Sequence, residues 1–517
     1  MNILIYNYLQ PEGGGGGVGV YSTNLARGLK EAGHNIITLS SGDAYALTSR
    51  KPYLRTWHDQ FQRAMIINSP MIAPSADAWN DFDIYNESRE LDKIPALLRG
   101  KYGEIDVFHI QNVEGLTSSF IRMVKDEFPK ARLVASLHNY GAICPQVDLW
   151  YQERQVCIDY RDGQNCTKCF VHRDTSEQIR NNRRHRPATL LLAKYAPQVV
   201  KIKREVMAKL RGRPLIVSLP VPDVVHDADA ARQSGEGIED LATLSKAGGD
   251  GRPYAAFRHS NIDLFANVFD HVLAVSERTR QVVLDRGMHP ENISVSYIGT
   301  AHKKIFETAT KITSINKHLH IGYIGYQKRS KGFYLLLQAL ELLPDDVAGR
   351  ISLTVAAKRV HDEAAYKRLT ELAPRFAAFR YFDGFTHKTL NEVLTGVNLG
   401  IVPPIWEDNL PQIAIEMVAR GIPVLTSDRG GAQEIAKSPE FIFKGGSATS
   451  LQQHIEKFSA GTVPLSRFWD GPIQIFSMEE HIEDLMQYYR GRDRIGRKTR
   501  VKHAASVPSR SDIARMG

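Results

Sequence analysis

The chain has 517 residues, 43% hydrophobic and 24% charged, with 66 Lys and Arg against 57 Asp and Glu for a formal net charge of +9. That length is too great for one ordinary core and predicts two domains of roughly 150–250 residues plus extensions. No run of about 18 apolar residues occurs, which excludes a membrane-spanning helix. Met1–Tyr6 lacks the basic start and small-residue cleavage site of a secretory signal and reads as a buried strand, so the expected location is the cytoplasm.

In chain order, the first half alternates short apolar strands with helical stretches. The strand candidates are Ile3–Tyr6, Asn35–Leu39, Val107–Ile110, Leu133–Leu137, Leu215–Val217 and His271–Val275, and a helix is expected over Val20–Ala32, stopped by Gly33. Asp223–Arg252 is polar and without periodicity, and residues 170–265 as a whole read as a basic, flexible insertion. Ala301–Lys317 reads as a linker. A second series follows: His320–Ile324, Ser352–Ala356, Phe379–Phe382, Leu399–Val402, Pro423–Thr426 and Phe441–Phe443. The alternation is that of α/β construction with parallel strands. The expected boundaries are 1–300, a linker at 301–317, 318–470, a helix at 471–490 returning to the first domain, and a basic tail at 491–517.

Positive charge is concentrated. Phe170–Pro214 holds twelve Lys or Arg against three acids, and Arg490–Gly517 nine against two. Such segments suit an anionic membrane surface or another polyanion, or form a solvated face and a loose tail. No aromatic platform or recognition motif accompanies them, so nucleic acid is not an expected partner. The four cysteines, Cys144, Cys157, Cys166 and Cys169, form a C-x12-C-x8-C-x2-C block. The closing pair has the spacing of two zinc thiolates, which makes a structural zinc one reading and reduced loop thiols the other.

Four segments carry chemistry. Pro11–Gly19 follows the first strand, and its glycines, Gly16 and Gly17 among them, let backbone amides and a helix start approach an anion. Gly14, Gly16 and Gly19 also satisfy the dinucleotide fingerprint, but the second strand ends Leu39-Ser-Ser-Gly without the acid a ribose would need. Ser136-Leu-His138-Asn139 follows another strand, where a side chain meets the crevice of an open parallel sheet, whereas His109 reads as structural. Gly325–Gly332 contains Lys328, Arg329 and Lys331, charges suited to a diphosphate. Trp406–Leu425 places Asp408 before a helix and Glu416 within it, with Asn409 and Leu410 between, so that the two acids reach sugar hydroxyls and a ribose diol from one sheet edge.

Taken together these segments resemble family 4 of the retaining glycosyltransferases, whose GT-B fold sets two Rossmann-like domains facing each other across a cleft. The resemblance also covers Ala274-Val-Ser276 with Thr279 and the Gly-Gly after the strand that follows the acid-x7-Glu segment, while Cys144-Pro145 recurs in a bacterial branch with a four-cysteine insertion. It implies metal-independent transfer, with retention, from a nucleotide-diphosphate sugar to a sugar or lipid-linked sugar acceptor, as in polysaccharide or glycoconjugate assembly, in the cytoplasm or peripherally at the inner membrane. It implies roles for His138 at the transferred sugar, Lys331 at the diphosphate and Asp408 at the sugar hydroxyls. Gly16, Gly17, Asn139, Lys328, Arg329, Asn409, Leu410 and Glu416 would bind substrate around them, and no catalytic cofactor is implied. Four positions depart from the family pattern: Tyr326, Asp408, Asn139 and Ile298 stand where Arg, Glu, Asp and Asn are usual. A sugar-nucleotide epimerase or phosphorylase on the same fold, and a non-catalytic nucleotide-sugar or membrane-binding protein, are the alternatives.

Overall fold

The structure is a computed structural model and describes residues 1–10, 16–75, 79–81, 88–152, 154–170, 173–195, 249–315, 317–358, 363–436 and 438–491. In chain order the first strands are β1 (Asn2–Tyr6), β2 (Asn35–Ser41), β3 (Tyr53–His58), β4 (Gln62–Ile67), β5 (Val107–Ile110) and β6 (Arg132–Leu137). A small hairpin, β7 (Trp150–Tyr151) and β8 (Gln155–Val156), precedes β9 (His271–Ala274) and β10 (Ile293–Val295). The eight-stranded sheet has the order β10-β9-β6-β5-β1-β2-β4-β3, parallel except for β3 against β4. Its central strands are unbroken apolar runs because both faces are covered: Ile3, Leu4, Ile5 and Tyr6 are all buried.

After β11 (Gly299–Thr300) comes the second sheet, from β12 (Leu319–Tyr326), β13 (Ile351–Lys358), β14 (Ala378–Phe382), β15 (Leu399–Val402), β16 (Val424–Ser427) and β17 (Ile442–Phe443), in the order β14-β13-β12-β15-β16-β17. Every pair in it is parallel. Finally β18 (Phe476–Ser477) pairs with β11, and helix Met478–Tyr489, opened by a Ser477/Glu480 capping box, packs on helix Gly16–Glu31 of the first half. One apolar cluster runs through that contact, joining Ile3, Tyr21 and Leu25 to Leu485 and Tyr489.

Several expectations shift in detail. The first helix starts at Gly16, not Val20; Gly33 ends it at φ +85°, with the Gly33 and His34 amides closing on Lys30 and Leu29. The linker span contains helix Lys303–Thr308. Residues 170–265 are not uniformly loose, because helix Arg252–Asn267 buries Tyr254, Phe257, Leu264 and Phe265; its apolar spacing anchors it to the core. The strand expected at Leu215–Val217, the polar stretch as far as residue 248 and the tail beyond residue 491 lie outside the described residues.

Candidate functional site

In both sheets the chain reverses its direction of growth beside the first strand, between β1 and β5 and between β12 and β15. At such switch points the loops leave in opposite directions and open a crevice at the carboxyl edge of the sheet. The segment before Gly16 and Gly17 follows β1, and Gln111 and Asn112 follow β5. In the second sheet the turn with Lys331 follows β12 and the segment with Asp408 follows β15.

Lys331 and Asp408 meet there, Nζ to Oδ2 at 2.6 Å, with the ammonium 4.8 Å from the centre of the Trp406 ring. Backbone geometry holds both. Gly332 sits at φ +76°, and an added Cβ would lie 1.6 Å from the Pro403 carbonyl oxygen, so only glycine lets the β12 turn press against the β15 segment. Gly430, at φ +73°, packs on the Asp408 backbone, and the Gly431 amide donates to the Asp408 carbonyl at 2.8 Å.

Glu416 is one turn beyond Gln412 on helix Gln412–Val418, hence on the same face. Gln412 Nε2 donates to the Gly17 carbonyl at 2.8 Å, so the start of this helix touches the glycine segment of the other domain. The buried Glu416 carboxylate lies 3.7 Å from His302 Nε2 and 3.5 Å from His387 Nδ1, and its Oε2 has no hydrogen-bond partner. Their ligand atoms all lie within 4.8 Å of one another, and among the described residues these form the one group of three or more His, Cys, Asp or Glu side chains so placed as to hold a metal ion. An unsatisfied buried carboxylate oxygen beside two imidazoles can accept from a diol or hold a divalent ion.

On the facing domain, His138 Nε2 is 2.8 Å from Gln111 Oε1, and its ring lies 4.7 Å from that of Tyr21, whose hydroxyl is 2.7 Å from His481 Nε2. Burial, with a smaller contribution from the nearby His481, pulls His138 down to about 3. His138 is therefore a neutral imidazole at physiological pH. Gln111 Nε2 is buried without a partner beside it, a free amide donor.

Residues 306–467 match the family model of the glycosyl transferases, group 1. Sucrose-phosphate synthase from Thermosynechococcus elongatus superposes with a TM-score of 0.51 at 13% identity, over 95% of this chain and 98% of that one. An α,α-trehalose-phosphate synthase (UDP-forming) from Burkholderia xenovorans, in complex with glucose-6-phosphate, gives 0.54 at 12%, over 95% and 99%. Anabaena HepE, in complex with UDP, gives 0.51 at 11%, over 95% and 100%. The fold is GT-B. No curated protein sequence matches the chain.

Within this GT-B frame the expected site residues divide. Lys331, Asp408 and Glu416 share the carboxyl edge of the second sheet, and Gly17 faces them through Gln412. Asn139 does not join them: its Nδ2 donates to Glu114 Oε1 at 2.7 Å and its Oδ1 accepts from the Gly141 amide, because the buried Glu114 carboxylate needs donors. Exposed Lys328 lies over Tyr326 and Arg329 over Tyr334, each cation 5.7 Å from the ring centre, near the outer reach of a cation–π contact. Asn409 is turned to the other domain, its carbonyl accepting from Ser276 Oγ at 2.7 Å and its Nδ2 reaching Thr279 Oγ1 at 3.3 Å. Leu410 is half-buried against the core. His109 is fully buried between Tyr489 Oη and Ser136 Oγ. The segment 11–15 lies outside the described residues.

Glu407, the neighbour that could have competed with Asp408, is bound elsewhere. Arg278, across the domain boundary, grips both of its oxygens. Burial alone would raise this carboxyl, but Arg278 outweighs it and holds the group below its usual range. Glu434 likewise accepts from the Glu277 and Arg278 amides, capping helix Glu277–Leu284 from the other domain. Arg278, Gln111, His302 and His387 lie outside the segments read for chemistry, whereas Gln412 lies within Trp406–Leu425 and Glu434 shortly after it, without a role being read for either.

The cysteines are all free thiols, Cys144 buried and the others half-buried. Burial pushes each of them up, and Cys166 and Cys169 reach about 12. They act on one another electrostatically, as neighbours in one region do. A cavity of about 660 Å³ lies at the amino edge of the second sheet, lined by His320, Ser352, Asn398 and Arg420. Lys331 and Asp408 lie at the opposite edge of that sheet. Among the described residues no helix is long and apolar enough to cross a membrane.

Proposed function

We propose that this protein transfers a sugar, with retention, from a nucleotide-diphosphate sugar to an acceptor hydroxyl, with the donor held by the second domain. The observation that carries the reading is the contact of Lys331 with Asp408 at the β12/β15 switch point, facing the glycine segment through Gln412. The UDP in Anabaena HepE and the sugar phosphate in the Burkholderia synthase agree with such a donor and acceptor.

In this reading Lys331 leaves Asp408 for the diphosphate, and Asp408, freed, accepts from the sugar hydroxyls. Glu416, whose Oε2 has no partner, accepts from the ribose diol. Cleavage of the sugar–phosphate bond builds negative charge on the departing diphosphate, which Lys331 and the amides of the Gly16 helix start stabilise. Neutral His138 and the Gln111 amide hydrogen-bond the transferred sugar without repelling its developing positive charge. The leaving phosphate oxygen takes the acceptor's proton as the acceptor attacks the same face, so no protein nucleophile is needed. The acceptor is a sugar or lipid-linked sugar of a surface polysaccharide or glycoconjugate, met at the inner membrane by the basic segments. Cys144, Cys157, Cys166 and Cys169 are the ligands of a structural zinc, which would require their loop to close around the ion; metal analysis of the purified protein tests this.

The deciding experiment is a thermal-shift screen of nucleoside diphosphates and nucleotide sugars, because a ligand that binds only the native state raises the melting temperature. One nucleotide should stabilise the wild type and fail to stabilise Glu416→Ala. Product formed without a separate acceptor would favour an epimerase instead.

A further inference from the structure

The first domain carries a cluster of guanidiniums that the reaction above does not use. Helix Ser176–Tyr195 lays Arg183, only 8% exposed, against the Gly42 carbonyl and 3.5 Å from Asp43 Oδ1, at the carboxyl end of β2. Arg184, also 8% exposed, lies with its guanidinium 5.8 Å from the Tyr45 ring centre and bonds Asn181 Oδ1 at 2.8 Å, but its Nε is buried without a partner. One turn earlier, Arg180 buries both Nε and Nη2 with no partner. Arg50, Asp43 and Glu177 also act on Tyr45 or Arg184, and Glu114 acts with Asp43 and Arg183 on Tyr8.

Arg180 and Arg184 thus bring three buried guanidinium nitrogens without an acceptor to one place beside Arg183. Burial, and then Arg50 and Arg180, pull Arg184 below its usual range, outweighing Tyr45 and Glu177. Buried guanidinium nitrogens without acceptors are costly and rare unless something outside the chain satisfies them. The open N–H groups of two neighbouring guanidiniums match the several oxygens of a phosphate, and the fork of a guanidinium fits them. The cluster also lies at the carboxyl edge of the first sheet, beside the strand that leads into the glycine segment.

We infer that Arg180, Arg183 and Arg184 bind a phosphate or diphosphate group on the acceptor, an inference that takes only the word acceptor from the reading above. The same chemistry is offered by a free sugar phosphate and by a lipid diphosphate.

The test is calorimetric titration of inorganic pyrophosphate into the full chain already saturated with UDP. The wild type should show a further anion site that weakens as salt is raised. Arg180→Gln and Arg184→Gln should each weaken it about tenfold, while Arg180→Lys keeps most of it and UDP affinity stays within about twofold in all three. Arg180→Gln removes a side chain whose Nε and Nη2 have no protein partner, so its melting temperature should match the wild type. Displacement of pyrophosphate by glucose 6-phosphate but not by geranyl diphosphate assigns the sugar-phosphate source, and the reverse the lipid. Failure of pyrophosphate to bind the UDP-saturated protein, or equal binding by the Gln variants, overturns the inference and leaves the donor site standing. Pyrophosphate binding that needs Arg180 in a protein that never binds a nucleotide would instead sink the transferase reading and keep the anion site.

Discussion

The ion pair between Arg278 and Glu407 ties the two domains together, and its removal should be costly in a calculable way. The Glu407 side chain is 2% exposed and that of Arg278 30%, with Arg278 Nε donating at 2.7 Å and Nη2 gripping the second oxygen. Arg278→Ala leaves the carboxylate buried, facing only Arg429 Nη1 at 3.7 Å and the Gly430 amide at 3.3 Å. Breaking a buried pair from one side costs about 3–5 kcal/mol. Because Arg429 remains as a partial counter-ion, the lower end, about 3 kcal/mol, is expected, or a fall in Tm of roughly 6–12 °C at about 2–4 °C per kcal/mol. Arg278→Met with Glu407→Met should recover most of the loss, since no buried charge is then left uncompensated. Urea unfolding of the single and double variants closes the cycle, and small-angle scattering reports whether the domains part. A single variant within about 1 kcal/mol of wild type, or a double variant as unstable as the single one, would refute the reasoning.

Lys331→Ala should lower kcat for transfer by two to three orders of magnitude, read in a donor-turnover assay, while circular dichroism stays native. Gly332→Ala forces a left-handed backbone and a clash with the Pro403 carbonyl, so it should cost more than about 2 kcal/mol in chemical denaturation. His138 and His481 are held by burial at about 3 and about 4, below an unfolded value near 6.5. The unfolded chain therefore takes up protons first as pH falls, so stability present above about pH 6.5 is progressively lost below it. At pH 5 the loss is on the order of 2 kcal/mol per histidine, and His481→Gln should flatten the pH dependence of Tm between pH 6.5 and 4.

Much of the fold was legible because each central strand is a short apolar run followed by a polar turn. The runs at Ile3–Tyr6, His320–Ile324 and Leu399–Val402 lie within or coincide with β1, β12 and β15, since strands covered on both faces need no partner information to look buried. The hairpin β3–β4 was not legible: Tyr53–His58 is an edge strand, half exposed and rich in polar side chains, and its identity comes from pairing with β4. Helix Arg252–Asn267 was hidden for the opposite reason, its apolar residues being diluted by Arg, His, Ser and Asn within a polar neighbourhood.

At the site, local sequence sufficed for residues that follow a strand directly. Lys331 and Asp408 could be named because parallel sheets place such loops on one edge, and glycines such as Gly332 mark where backbones must touch. Which of two adjacent acids meets Lys331 was decided only by the packing of the domains: Glu407 is claimed by Arg278, 129 positions away, and this leaves Asp408 for Lys331, 77 positions away. Asn139 was withdrawn in the same manner by Glu114, and His302 and His387 were brought to Glu416 from separate loops. Local propensity acts over a few residues and therefore writes strands, turns and helix starts into the chain. Charge pairing and burial act through space, so partners of a buried carboxylate exist only once the two sheets have closed on one another.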